Sequence, residues 1–170
     1  MAIRQLCSCY WIWELIHINE RNLAGETALL EAIDYKQLSC VKILTERGAD
    51  TTTSRAGRTV LHRVVLAGDV FKQVMKFLLD AVETRRLVDA VDSHGNTALH
   101  CCSAYSDCVS RLGVANMLVQ AGASLTIKNT NRQTPYGYAR YRGEKELAKY
   151  LWSQLSPEKQ VQERPLPPDW

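Results

Sequence analysis

The sequence predicts an all-α fold, an α-solenoid of short helix–turn–helix repeats joined by β-hairpin-like turns. Three observations predict it. First, a phrase recurs: Gly95-Asn96-Thr97-Ala98-Leu99-His100 in full, and Gly57-Arg58-Thr59-Val60-Leu61-His62 nearly so. A variant precedes these at Gly25 to Leu30, and a decayed copy follows at Arg132 to Gly137. Second, the four threonines, Thr27, Thr59, Thr97 and Thr134, stand 32, 38 and 37 residues apart (59−27, 97−59, 134−97). Third, two short apolar stretches at helical spacing follow each phrase.

The glycine suits a turn that leads into a helix, because it reaches backbone angles closed to other residues. The threonine stands at the helix start, where its hydroxyl can accept from an unpaired backbone N–H. Pro135 follows Thr134 at a first-turn position, where a missing N–H costs nothing. In the first copy the apolar stretches are Leu29, Leu30, Ala32 and Ile33, then Val41, Ile43 and Leu44. Gly48 and Gly122 are placed to end the second helices of the first and third copies in a left-handed cap. The second copy lacks that stop and leaves through the polar Glu83-Thr84-Arg85-Arg86. In the last copy Leu147, Tyr150, Leu151 and Leu155 share one face, with Lys145, Glu146, Lys149 and Gln154 outward, as suits a terminal cap.

Two copies are long. Thr97 to Gly122 is 25 residues against 21 from Thr27 to Gly48. The extra length of the third copy is expected between its helices, near Tyr105 to Cys108. In the second copy some is expected at the exit, near Val82 to Leu87.

The phrase and its spacing resemble the ankyrin repeat over about residues 18–155. The resemblance implies four repeats at about 18–50, 51–88, 89–125 and 126–155. Residues 1–17 would be an incomplete N-terminal repeat or a capping helix, and 156–170 a Pro-rich disordered tail. For that tail, a polyproline segment offered to a groove stays open. So does an excerpt of a larger protein, since Leu166-Pro167-Pro168-Asp169-Trp170 resembles the opening of a WW domain. The family's histidine bonds between neighbouring turns, which gives His62 and His100 a structural role. The family's geometry points the residue after the histidine position into a concave face, joined there by the hairpin tips. The partner-binding candidates on that basis are Glu31, Arg55, Arg63, His94, Cys101, Tyr105, Asn131, Arg132 and Tyr138.

Composition narrows the function. A hydrophobic content of 46% with 23% charged residues is that of an ordinary folded domain. A net charge of +3 with no Lys/Arg run gives no reason to expect nucleic acid. No stretch approaches a membrane span. Six cysteines without a C-x-x-C pair are expected as thiols, with no zinc spacing among them. There is no phosphate loop, nucleophile elbow or His-Glu-x-x-His helix, so the expected protein is not an enzyme and takes no cofactor or metal. The expectation is a monomeric protein-interaction module, cytoplasmic or nuclear, serving as an adaptor or scaffold in signalling. Two alternatives stay open: an inhibitor-of-NF-kappaB-like regulator that sequesters a transcription factor, and the recognition arm of a larger multidomain enzyme.

Overall fold

The computed structural model describes residues 18–52, 56–67, 72–104 and 108–163. The expectations for residues 1–17, for Arg55 and Tyr105, and for residues 164–170 fall outside these. Among the described residues the secondary structure is helical, apart from a single antiparallel bridge between Arg21 and Thr27. The first copy holds α1 (Ala28–Asp34) and α2 (Leu38–Glu46), and the second α3 (Val60–Ala67), α4 (Lys72–Asp80) and the one-turn α5 (Val82–Arg85). The third holds α6 (Ala98–Cys101) and α7 (Cys108–Gln120); the fourth holds α8 (Pro135–Tyr141) and α9 (Lys145–Gln154), followed by α10 (Pro157–Gln162). First helices touch first helices in the order α1, α3, α6, α8, and second helices touch in the order α2, α4, α7, α9. Two helical layers result, the expected all-α solenoid.

One residue per copy anchors the space between the layers. Two positions after each threonine stand Leu29, Leu61, Leu99 and Tyr136, each at most 1% exposed. Tyr136 fills the last site with a larger ring, set 5.0 Å from Trp152 at a 45° tilt. On α9, Leu147 and Leu151 are buried while Lys145, Glu146, Lys149 and Gln154 are exposed. That terminal copy therefore turns a polar flank outward.

The helix starts and stops follow local chemistry. The Thr27 hydroxyl accepts from the Leu30 N–H at 3.5 Å, and Thr134 from the Gly137 N–H at 3.1 Å. Gly48 and Gly122 lie at φ 80° and 99°, and the next N–H in each case returns 2.9 Å to the carbonyl of Leu44 or Leu118. The carbonyls left over at the helix ends are thereby satisfied.

Three expectations are corrected. The third copy's extra length is not a loop between its helices. Leu38 and Cys108 both follow their threonine by eleven residues (38−27, 108−97), whereas α2 has 9 residues and α7 has 13. Four residues make about one helical turn, so the longer helix still presents the same face to the core. The polar tail is not wholly irregular, since α10 starts after Ser156 with Pro157 in its first turn. The Gln160 amide ties α10 back to the carbonyls of Trp152 at 2.9 Å and Leu155 at 3.1 Å. Among the cysteines, Cys101 and Cys102 are free, but Cys40 is disulfide-bonded. Pairing depends on which sulfurs the fold brings within reach, and spacing alone does not reveal that. The long exit of the second copy is where the sequence placed it, shaped into α5 with Thr84 buried.

Candidate functional site: the hairpin tips and first helices

The first, third and fourth tips are built on an asparagine or aspartate five residues before the threonine. Oδ1 of Asn22 accepts from the N–H groups of Ala24 and Glu26 at 2.9 and 3.0 Å. Asp92 does the same for His94 and Asn96 at 2.8 and 2.9 Å, and Asn129 for Asn131 and Gln133, both at 3.0 Å. A short side chain that satisfies two turn donors, two and four residues ahead of it, fixes the tip without help from a sheet. This recurring position was readable in the sequence, but only at a spacing relative to the threonine that the repeated phrase does not contain.

The tips are then joined end to end. The Ser93 N–H donates to the Ala56 carbonyl at 2.9 Å, and the Thr130 N–H to the His94 carbonyl at 3.0 Å. The Thr130 hydroxyl adds a second bond to that carbonyl at 2.9 Å. Gly95 has to be glycine: its φ is +72°, and a Cβ there would meet the Thr130 nitrogen at 2.9 Å. In the fourth copy the equivalent residue is Arg132, held at φ 58°. A non-glycine residue in that region carries a cost of about 1–2 kcal/mol.

Behind the tips the histidines bridge copies. The Thr59 N–H donates to His62 Nδ1 at 3.2 Å, so Nδ1 holds a lone pair and the ring proton sits on Nε2. Nε2–H then donates to the Asn96 carbonyl of the next copy at 2.9 Å. His100 repeats the arrangement, from the Thr97 N–H at 3.1 Å to the Gln133 carbonyl at 3.0 Å. Burial, above all, lowers both histidines below their ordinary pKa, and the fixed N–H donor at Nδ1 leaves no place for a second ring proton. The structural role expected for this pair is what the geometry shows.

The candidate residues separate into three groups. His94, Asn131 and Arg132 are exposed on adjoining tips, and the tip-to-tip bonds bring them together. Glu31, Arg63 and Tyr138 are half-buried and engaged within the array. Glu31 accepts from the Asn22 side chain, and Arg63 pairs with Asp34 and lies 3.6 Å from Glu26. The Tyr138 ring stands 6.2 Å from the His100 ring. Cys101 is buried at 6% exposure. Its thiol is pushed up to about 12, chiefly by desolvation, so it stays protonated and unreactive at neutral pH. It presents almost no surface, because the short α6 packs between neighbours on both sides. Among the described residues no His/Cys/Asp/Glu group is arranged to hold a metal ion, and no helix is long and apolar enough to cross a membrane. The sequence reading passed over Lys128, Tyr141 and Arg142, which are exposed beside the fourth tip and at the end of α8.

Residues 94–130 match the family model described as Ankyrin repeat. The chain is 32% identical over 137 residues to diacylglycerol kinase zeta of Rattus norvegicus, a match covering 76% of this chain and 14% of that protein. It is 31% identical over 101 residues to NF-kappa-B inhibitor delta of Homo sapiens, covering 58% of this chain and 32% of that one. Synphilin-1 of Mus musculus is 29% identical over 138 residues, with coverage of 79% and 14%. The chain thus spans a third or less of the length of each of these relatives. With two helical layers, hairpins stacked tip to tip and a histidine bridge at the repeated phrase, the protein belongs to the ankyrin-repeat family.

Proposed function

We propose that this chain is a non-enzymatic, monomeric protein-interaction module, an adaptor or scaffold of cytoplasmic or nuclear signalling. In this reading it grips its partner with the hairpin tips and the adjoining face of the first helices. Ankyrin repeats are protein–protein interaction modules in general, and one observation carries the reading to this face. Backbone bonds chain the second, third and fourth tips together, so His94, Asn131 and Arg132 project from a pre-organised row. A row ordered before binding spares the ordering cost that a flexible loop would carry.

The test compares the wild-type chain with the triple variant His94→Ala, Asn131→Ala, Arg132→Ala. Each is cross-linked in cell extract, and the captured proteins are identified. Proteins retained by the wild type and lost by the variant support the reading; equal capture by both rejects it. A second reading, sequestration of a transcription factor, draws on the similarity to NF-kappa-B inhibitor delta. Recovery of Rel-type factors would favour it, and their absence would remove it. The similarity to diacylglycerol kinase zeta keeps a third role in view, recognition within a larger enzyme.

A further inference from the structure

The array is electrically lopsided. Its first tip and helix, residues 18–37, carry Glu20, Glu26, Glu31 and Asp34 against Arg21 and Lys36. The corresponding residues 125–144 of the fourth copy carry Lys128, Arg132, Arg140 and Arg142 against Glu144 alone. Three arginines earlier in the array are compensated from within. Arg63 is clasped by Asp34 and Glu26, Arg58 lies 4.0 Å from Asp92, and Arg111 pairs with Glu144. Arg140 lies over the Tyr136 ring at 5.7 Å. Lys128, Arg132 and Arg142 differ. All three are exposed, and none pairs with a carboxylate among the described residues. Arg142 Nη2 donates to the Ala104 carbonyl at 3.4 Å, which leaves its charge unneutralised.

Arg132 is the telling member. The other three copies place glycine at this left-handed position, and this copy holds an arginine there at φ 58°. Backbone strain retained at an exposed tip points to a use for the side chain. In the same copy, Tyr138, Tyr141 and Arg142 stand at i, i+3 and i+4, so they share one face at the end of α8. Tyr141 is 75% exposed.

We infer that the fourth copy is the docking site for an acidic protein segment. Its carboxylates engage Lys128, Arg132 and Arg142 while an apolar side chain covers Tyr141. The guanidinium groups of Arg132 and Arg142 present paired N–H donors matched to a carboxylate, which a lone ammonium cannot reproduce. A folded or extended acidic protein suits the site better than nucleic acid. These three cations lie in one copy, no Lys/Arg run extends along the array, and the whole chain carries only +3. This inference rests on the interaction reading above and names the partner's chemistry.

The probe is a fluorescent peptide of alternating glutamate and tyrosine-flanked serine, titrated against the full chain by anisotropy, beside a glutamine version. Arg132→Gly is the decisive variant, because it restores the residue that the other copies use. It should raise the melting temperature and weaken glutamate-peptide binding by about tenfold, the loss of one charge-assisted contact. Lys128→Ser with Arg142→Gln should weaken it further, and added salt should weaken it in the wild type. Equal binding of the glutamine peptide, undiminished binding by Arg132→Gly, or no binding to the wild type overturns the inference. So does tighter binding of a single-stranded oligonucleotide than of the peptide. These outcomes are separable from the broader reading. If the tip variant loses its cross-linked partners while the peptide fails, only the acidic assignment falls. If the tip variant keeps every partner, the interaction face itself is misplaced.

Discussion

The junction between the first two copies and the two junctions after it are held by different physics. In the later pair a buried histidine donates across to the next copy's carbonyl, at 2.9 Å from His62 and 3.0 Å from His100. At the first junction the histidine's place is taken by Leu30, buried at 3% exposure, which can make no such bond. A charged clasp stands in its stead, from Arg63 of the second copy to Asp34 and Glu26 of the first. The clasp is the weaker device. The Asp34 side chain is 45% exposed, and exposed ion pairs contribute only about 0–1 kcal/mol and are screened by salt. The histidine bonds lie out of water, where a broken partner leaves buried groups unsatisfied. One solenoid thus combines salt-sensitive and acid-sensitive joints.

The largest expected effect comes from the packing that all copies share. Leu99→Ala opens a cavity at a fully buried position between the second and fourth copies. It should cost about 2–5 kcal/mol in urea unfolding. A smaller loss would mean that neighbouring copies collapse into the space. Next comes His100→Leu, which gives the third copy the first copy's residue. The Thr97 N–H and the Gln133 carbonyl lose their partner, and the expected cost is about 1–3 kcal/mol. A neutral outcome would show that the histidine bridge adds nothing over apolar packing.

Acid should act on the same joints. Both histidines have folded-state pKa values below the ordinary 6.5, because burial disfavours the cation. Below that value the unfolded chain takes up protons that the folded chain refuses, so stability is complete above pH 6.5 and falls as the pH drops beneath it. Amide protection at Thr130, bonded across to the third tip, should then decline on mild acidification. Asp50, whose N–H donates to Asn19 at 2.6 Å near the first junction, should hold its protection. Uniform loss at both sites would dissolve the distinction. The smallest effect is reserved for Arg63→Ala, at about 0–1 kcal/mol and less in high salt. Among the described residues Arg63 Nε and Glu26 Oε2 make no hydrogen bond, so the clasp is incomplete. A loss as large as that of His100→Leu would place the first junction on a par with the others.

Much of this was legible in the chain because the repeat spells out its own needs. Glycine at Gly57 and Gly95 marks a left-handed backbone pressed against the next tip, threonine marks a helix start, and the histidine marks a bridge. The candidate site was less legible. Residues after the histidine position were grouped by register, yet Glu31 and Arg63 are engaged within the array while Cys101 is buried. Register fixes the direction in which a Cβ leaves the helix, but a long side chain turns toward whatever charge its neighbours offer. Lys128 and Arg142 went unnoticed for the opposite reason: nothing in a single copy shows that no carboxylate will stand beside them.

By itself, then, the sequence determined the period and the helix boundaries set by threonine and glycine, and its resemblance to the family implied the bridging role of His62 and His100. These are local or strictly periodic properties, written within a few residues or repeated at a constant offset. Tertiary structure alone decided that the third copy's four surplus residues became a helical turn and that Cys40 joined a disulfide. It also decided that Arg63 was neutralised across a junction and that Arg132 was left projecting from a strained tip. Each of those depends on which groups from distant parts of the chain come within a few ångströms, and Coulomb attraction and packing act only at that range.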